Sequence, residues 1–150
     1  MLIWLGVIAI ESTSYFSSVN TETVLYALLV KVFGPISLIH FEAIHAVGRK
    51  IGHFVGYGVL TLLLFRAWRG TKTGNGAGLW LASSAWLGIV GAVLVASADE
   101  FHQSFLPMRG GSAYDVLLDT AGGACFLLLA YLWIMSRSDR VGPEAEQQHG

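Results

Sequence analysis

Long runs without charge divide this chain. Residues 73–98 and 120–136 contain no Asp, Glu, Lys or Arg, and residues 51–65 carry none either, with His53 their single histidine. A helix rises 1.5 Å per residue and needs about 20 apolar residues to cross the hydrocarbon core of a bilayer. Arg49–Trp68, Leu79–Ala98 and Val116–Met135 meet that length, the last with Asp119 in its first turn. Met1–Ile10 is apolar but covers only about half a bilayer. The expected solution is a helix that continues through Glu11 to Ser18 with its polar groups facing protein. A half-span or a start further upstream are the alternatives. With no basic residues before it and no Ala-x-Ala site, a cleaved signal peptide is not expected.

Between the first two spans, Asn20 or Thr21 can cap a helix with Glu22 in its first turn, and the apolar run Val24–Val30 ends at Gly34-Pro35. This segment is too short to span and too apolar for water, so it is expected to lie in the interface. Gly70–Gly78 reads as a turn, and residues 136–150 as a polar, disordered, cytoplasmic tail behind a transmembrane domain of residues 1–135. The predicted class is an all-α, polytopic integral membrane protein with about four transmembrane helices and one short interfacial helix.

Composition agrees. The 150 residues are 54% hydrophobic and 13% charged, with a mean hydropathy of +0.60, against about 25% charged for a soluble domain. A net charge of −1 argues against a nucleic-acid partner. The lone Cys125, inside an apolar run, is expected to serve packing.

If successive spans reverse direction, the ionisable residues gather at one end. Glu11 closes span one. Glu42, His45, Arg49, Lys50 and His53 lead into span two. Asp99, Glu100, His102 and Gln103 close span three, and Arg109, Asp115 and Asp119 open span four. Glu42, His45, Arg49, His53 and Tyr57 are spaced by 3, 4, 4 and 4, which makes one helical stripe. Asp119 lies roughly 6 Å deeper than Asp115, and a charge at such depth costs about 2.5–3.5 kcal/mol against lipid, so it must face protein or water. The two carboxylates repel unless a proton or a cation intervenes, and Arg49, Lys50, Arg109 or a metal could supply the cation. Ser112-Ala113-Tyr114-Asp115 has the spacing of a capping box, with Asp for the usual Glu. Gly52-x-x-x-Gly56, Gly88, Gly91, Gly122 and Gly123 suit close helix packing within the chain, although a dimer face is the other use of such a pattern. Trp4, Trp68, Trp80 and Trp133 fall near span ends. Lys/Arg bias sets Arg66, Arg69, Lys72, Arg137 and Arg140 against Lys31, Arg49, Lys50 and Arg109. Discounting the cations held in a site, both termini are expected in the cytoplasm and the polar face outside.

The string RKIGHFVGYGVLTLL (49–63) resembles the Arg-Lys-x-x-His-Phe-x-x-Tyr-x-x-Leu segment of the VanZ-like membrane protein family. The string ASADEFHQSFLPMRGGSAYDVLLDTAGG (96–123) resembles its Asp-Glu-x-x-Gln-x-Phe-x-Pro-x-Arg-x-x-Ser-x-x-Asp-x-x-x-Asp-x-x-Gly signature, and STSYFSS (12–18) its Ser-rich segment. Val19 stands where the family pattern has Gln, and the first apolar run is shorter than the family's. The resemblance implies a small polytopic protein of about four helices in a family whose namesake is linked to low-level teicoplanin resistance.

Three functions fit these residues. The leading one is an outward-facing pocket in the cell membrane that binds an anionic envelope lipid, a lipid-linked cell-wall precursor or a glycopeptide-related ligand. Arg49, Lys50 and Arg109 would contact phosphate or carboxylate, and His53, Tyr57, Asp99, Glu100, Gln103, Asp115 and Asp119 would complete the site. The second is an enzyme in which His53 or His102, oriented by Asp99, acts as general base on a lipid-linked substrate. The third is an accessory subunit whose network holds helices together. The four acids could also bind a divalent cation, or Zn²⁺ with His53 and His102. An ion-pair network explains them without a metal, no His-Glu-x-x-His pattern is present, and no metal or cofactor is expected.

Overall fold

The computed structural model describes residues 2–13, 18–72, 80, 82–106 and 110–146. The described elements are five helices: α1 (Leu2–Glu11), α2 (Ser18–Phe33), α3 (Leu38–Lys72), α4 (Ala82–Gln103) and α5 (Ala113–Glu146). Three of them, over Leu38–Thr71, Ala82–Gln103 and Ala113–Arg137, are long and apolar enough to cross a membrane. Beside them α1 is apolar but has ten residues, shorter than the expected first span.

The difference lies in α1. It does not run on to Ser18. The Ser12 amide still reaches the Ile8 carbonyl at 2.9 Å, but the Thr13 amide tightens onto Ile10 O at 3.1 Å. The Thr13 hydroxyl bonds that same carbonyl at 2.7 Å. Short hydroxyl side chains offer the backbone an alternative to the helical ladder, and here they end it. α1 is thus a half-span by length; Ser14–Ser17 lie outside the described residues.

α2 starts at Ser18, two residues before the expected cap, and stops where Gly34 adopts φ 85° with its amide on Val30 O at 2.9 Å. A left-handed residue after the last turn is a common helix stop, and glycine adopts it without a Cβ penalty. The Tyr26 hydroxyl then donates to Ile36 O at 2.9 Å, and its ring packs 5.2 Å from that of Phe41, fastening α2 to the start of α3.

α3 extends through Gly70–Lys72, which the sequence assigns to a turn. The Thr71 hydroxyl bonds Trp68 O at 2.8 Å, and propagating a formed helix through one glycine costs only about 1 kcal/mol. The rest of that turn, residues 73–79, lies outside the described residues. α5 likewise continues to Glu146 through most of the segment expected to be disordered, since extending an existing helix is far easier than nucleating one.

α3 is the hub and packs against each of the other four helices. Its pairing with α4 is antiparallel: Tyr57 meets Asp99, while Thr61 and Phe65 meet Gly88. Its pairing with α5 is parallel: His53 meets Asp119, Phe54 meets Gly122, and Gly58 meets Phe126. Glycines set these approaches. A Cβ on Gly122 would strike the Phe54 carbonyl, one on Gly123 the Thr61 hydroxyl, and one on Gly88 would sit 3.2 Å from the Thr61 carbonyl. Gly52 and Gly56 do not share this role, because a Cβ on either meets nothing within 4 Å. They border a groove under α1, where the Trp4 indole donates to Gly56 O at 2.9 Å. Ile8, Tyr57, Leu60 and Ala96 form the buried core, with Val116 packed against it. Trp80 sits 4.9 Å from the Phe65 ring and 5.1 Å from that of Tyr131, towards the far end of α3. Cys125 is exposed on α5, not packed.

The start of α5 departs from the sequence pattern in its chemistry. The Ser112 side chain caps Tyr114 N at 3.2 Å. The Ser112 amide donates at 2.8 Å to Glu100 Oε2 of α4, and not to Asp115 as a capping box would require. Gly111 permits this approach, since a Cβ there would run into the Glu100 carbonyl.

Three substitutions check this packing by thermal unfolding in detergent. Gly122→Val should destabilise the protein by about 1–3 kcal/mol through overpacking; an unchanged midpoint would mean that α3 and α5 do not touch there. Glu100→Ala should cost about 1 kcal/mol through loss of the cap, and Asp115→Ala much less. The reverse order would restore the capping box.

Candidate functional site

The parallel α3–α5 pair and the antiparallel α4 bring the start of α3, the end of α4 and the start of α5 together. Between them, with α2 on one side, lies a cavity of about 210 Å³. Its wall carries Glu42, His45, Arg49, Lys50 and His53 from α3, Glu100 and Gln103 from α4, Asp115 from α5 and Glu22 from α2. The α3 members are the first four residues of the helical stripe read from the sequence plus Lys50, whose ammonium lies 5.1 Å from the centre of the Tyr114 ring.

Behind this wall the polar side chains are buried. Asp99, 8% exposed, accepts hydrogen bonds on Oδ2 from the Tyr57 hydroxyl at 3.3 Å and from Gln103 Nε2 at 3.0 Å. The Gln103 bond joins residues one helical turn apart, so the α4 sequence alone provides it. Asp119 is 1% exposed, and neither of its carboxylate oxygens has a hydrogen-bond partner among the described residues. His53 Nδ1 stands 3.7 Å from Asp119 Oδ1, and the His53 ring stacks 6.4 Å from that of Tyr57. His53 therefore reaches the cavity with a buried carboxylate behind it. Unpaired polar atoms in a low-dielectric interior are costly, which marks the His53–Asp119 contact as the least satisfied spot in the cluster.

Arg49, Lys50, His53, Glu100, Gln103 and Asp115 thus share one cavity, while Tyr57, Asp99 and Asp119 stand behind its wall. His102 does not join them. It is exposed, and its Nδ1 shares a 3.3 Å hydrogen bond with the Ser12 hydroxyl of the α1 end. Asp99 orients neither histidine; its partners are Tyr57 and Gln103, and the carboxylate beside His53 is Asp119. Both pairings follow from helix rotation, which sequence spacing does not fix. Arg109 lies outside the described residues. Among the described residues, no three His, Cys, Asp or Glu side chains are grouped to hold a metal ion.

The sequence stripe contains Glu42 and His45, yet neither stood among the expected site residues. Their spacing from Arg49 was the available signal. In the sequence Glu22 is only a first-turn acid, and nothing local to α2 shows that it faces α3.

Chemically, the cavity offers two fixed cations, two histidines and four carboxylates. One carboxylate, that of Glu100, is already engaged by the Ser112 amide. Such a cavity can hold a polar group that presents both negative charge and hydrogen-bond donors.

No curated protein and no solved structure matches the chain. A family model described as VanZ/LLP1 matches residues 1–134, a range that takes in the whole cavity wall and the three membrane-length helices up to Ile134, and this membrane protein belongs to the VanZ/LLP1 family.

Proposed function

We propose that the protein binds the headgroup of an anionic envelope lipid or lipid-linked precursor in this cavity. The observation that supports it is the meeting of Arg49, Lys50 and His53 with carboxylates in a cavity among helices of membrane length. A guanidinium and an ammonium at one wall suit a phosphate. Glu22, Glu42 and Asp115 suit the hydroxyls or amine that such headgroups also carry. A glycopeptide-related ligand, suggested by the family's namesake, would offer a carboxylate to the same cations. The Lys/Arg bias supports a cell-membrane orientation in which the end of α5 is cytoplasmic and the cavity extracytoplasmic.

The reading is tested by titrating purified protein with dihexanoyl phosphatidylglycerol, farnesyl phosphate and teicoplanin, with dihexanoyl phosphatidylcholine as control. The phosphate probes should bind more tightly than the control. Lys50→Gln should weaken them about tenfold, the size expected for losing one charge-assisted hydrogen bond. Teicoplanin binding alone would shift the ligand to the glycopeptide. Equal binding of every probe by wild type and variant overturns the proposal.

A second reading, acid–base chemistry on the bound lipid, is favoured by His53 lining the cavity with buried Asp119 3.7 Å behind it. A carboxylate behind an imidazole holds its orientation and supports a proton on it. Asp119→Asn, behind the wall, should then retain lipid binding and stop any conversion of the bound lipid followed by mass spectrometry, and His53→Gln should stop it too. Conversion that survives both changes, or no conversion by wild type, removes this reading.

A further inference from the structure

A second, apolar groove of about 560 Å³ adjoins the charged cavity. α2 supplies Leu25 and Leu29 to it, the connection supplies Ile36, and α3 supplies Phe41, Ile44 and Gly48. His45 and Arg49 line both spaces, so the groove starts where the cavity's cations stand. Its floor is fixed: Phe41, 5% exposed, lies between the Tyr26 ring at 5.2 Å and the His45 ring at 5.7 Å, and the Tyr26 hydroxyl is tied to Ile36 O. Gly48 deepens it, since the space where its Cβ would stand is open.

We propose that this groove receives one acyl chain of the lipid whose headgroup occupies the charged cavity, with α2 as the outer wall of the chain site. The proposal rests on the headgroup reading above. A charged chamber and an apolar one that share two side chains match the two ends of one amphiphile. Each methylene buried in the groove adds apolar contact that the headgroup alone does not make. The groove volume lies in the range of ordinary ligand sites, roughly 300–1,000 Å³.

The test uses phosphatidylcholine vesicles that contain the protein and a small fraction of phosphatidylglycerol with a photoreactive diazirine in one chain. Crosslinks mapped by mass spectrometry should concentrate on the α2 and α3 segments around Leu29 and Ile44. Ile44→Trp, or Leu25→Trp from the opposite wall, should lower that labelling about tenfold, as expected when the site loses about two buried methylenes. Leu128→Trp, on an exposed apolar part of α5, should leave it unchanged. Labelling spread evenly over all apolar helix faces and indifferent to both groove substitutions describes annular lipid only and overturns the groove site. The headgroup reading would still stand in that case if Lys50→Gln weakens phosphatidylglycerol binding. If Lys50→Gln changes nothing while the groove labelling persists, the headgroup reading falls, and the proposed chain-and-head site falls with it.

Discussion

The closeness of α3 and α5 governs the geometry of this protein. At Gly122 the α5 backbone lies directly against the Phe54 carbonyl, and at Gly123 it leaves room for the Thr61 hydroxyl. Between helices whose surroundings are as apolar as their own side chains, association depends on van der Waals contact and hydrogen bonds, and small residues allow both. The parallel alignment set by these glycines places Asp119 one turn before the contact and against His53. A charged residue in lipid needs a protein neighbour, and the glycine contact supplies one. Thr61 takes part without being left unsatisfied, because its hydroxyl donates to Tyr57 O at 2.7 Å.

α4 closes the arrangement from the other direction. Its end contributes two neighbouring acids with different tasks. Asp99 accepts from Tyr57 and Gln103 and so joins α3 to α4. Glu100 accepts the Ser112 amide and joins α4 to α5. The positive end of α5 is thereby met by a carboxylate from another helix, a favourable placement for the helix dipole. Asp115 is left free of the cap and lines the cavity instead.

Much of this was legible in the residues. Charge-free runs located the three long helices, because the bilayer sets a length that few other constraints imitate. The 3-4-4-4 spacing from Glu42 to Tyr57 placed five polar residues on one face of α3, and that face is the one that meets α4 and α5. Gly88, Gly122 and Gly123 announced close packing. What the residues do not show depends on distance across the fold. The end of α1 turns on the Thr13 hydroxyl competing for Ile10 O, whereas the length a bilayer requires favours a longer helix. Ser112 has its cap partner in another helix, though a suitable acid stood three residues away. Gly52 and Gly56 are spaced like packing glycines, but the Trp4 indole of α1 bonds Gly56 O while a Cβ on either glycine would meet nothing within 4 Å. The sequence marks both Asp99 and Asp119, yet helix rotation decides that Asp119 stands beside His53.

The length of α3 also matters to its surroundings. Its 35 residues span about 52 Å at 1.5 Å each, against roughly 30 Å of hydrocarbon. A straight helix of that size must tilt or project, and the half carrying Glu42, His45 and Arg49 is the more hydrophilic one. Membrane thickness therefore becomes a mechanical input: a thicker sheet of lipid would draw the mouth of the cavity towards the acyl region, and a thinner one would lift it into the aqueous layer.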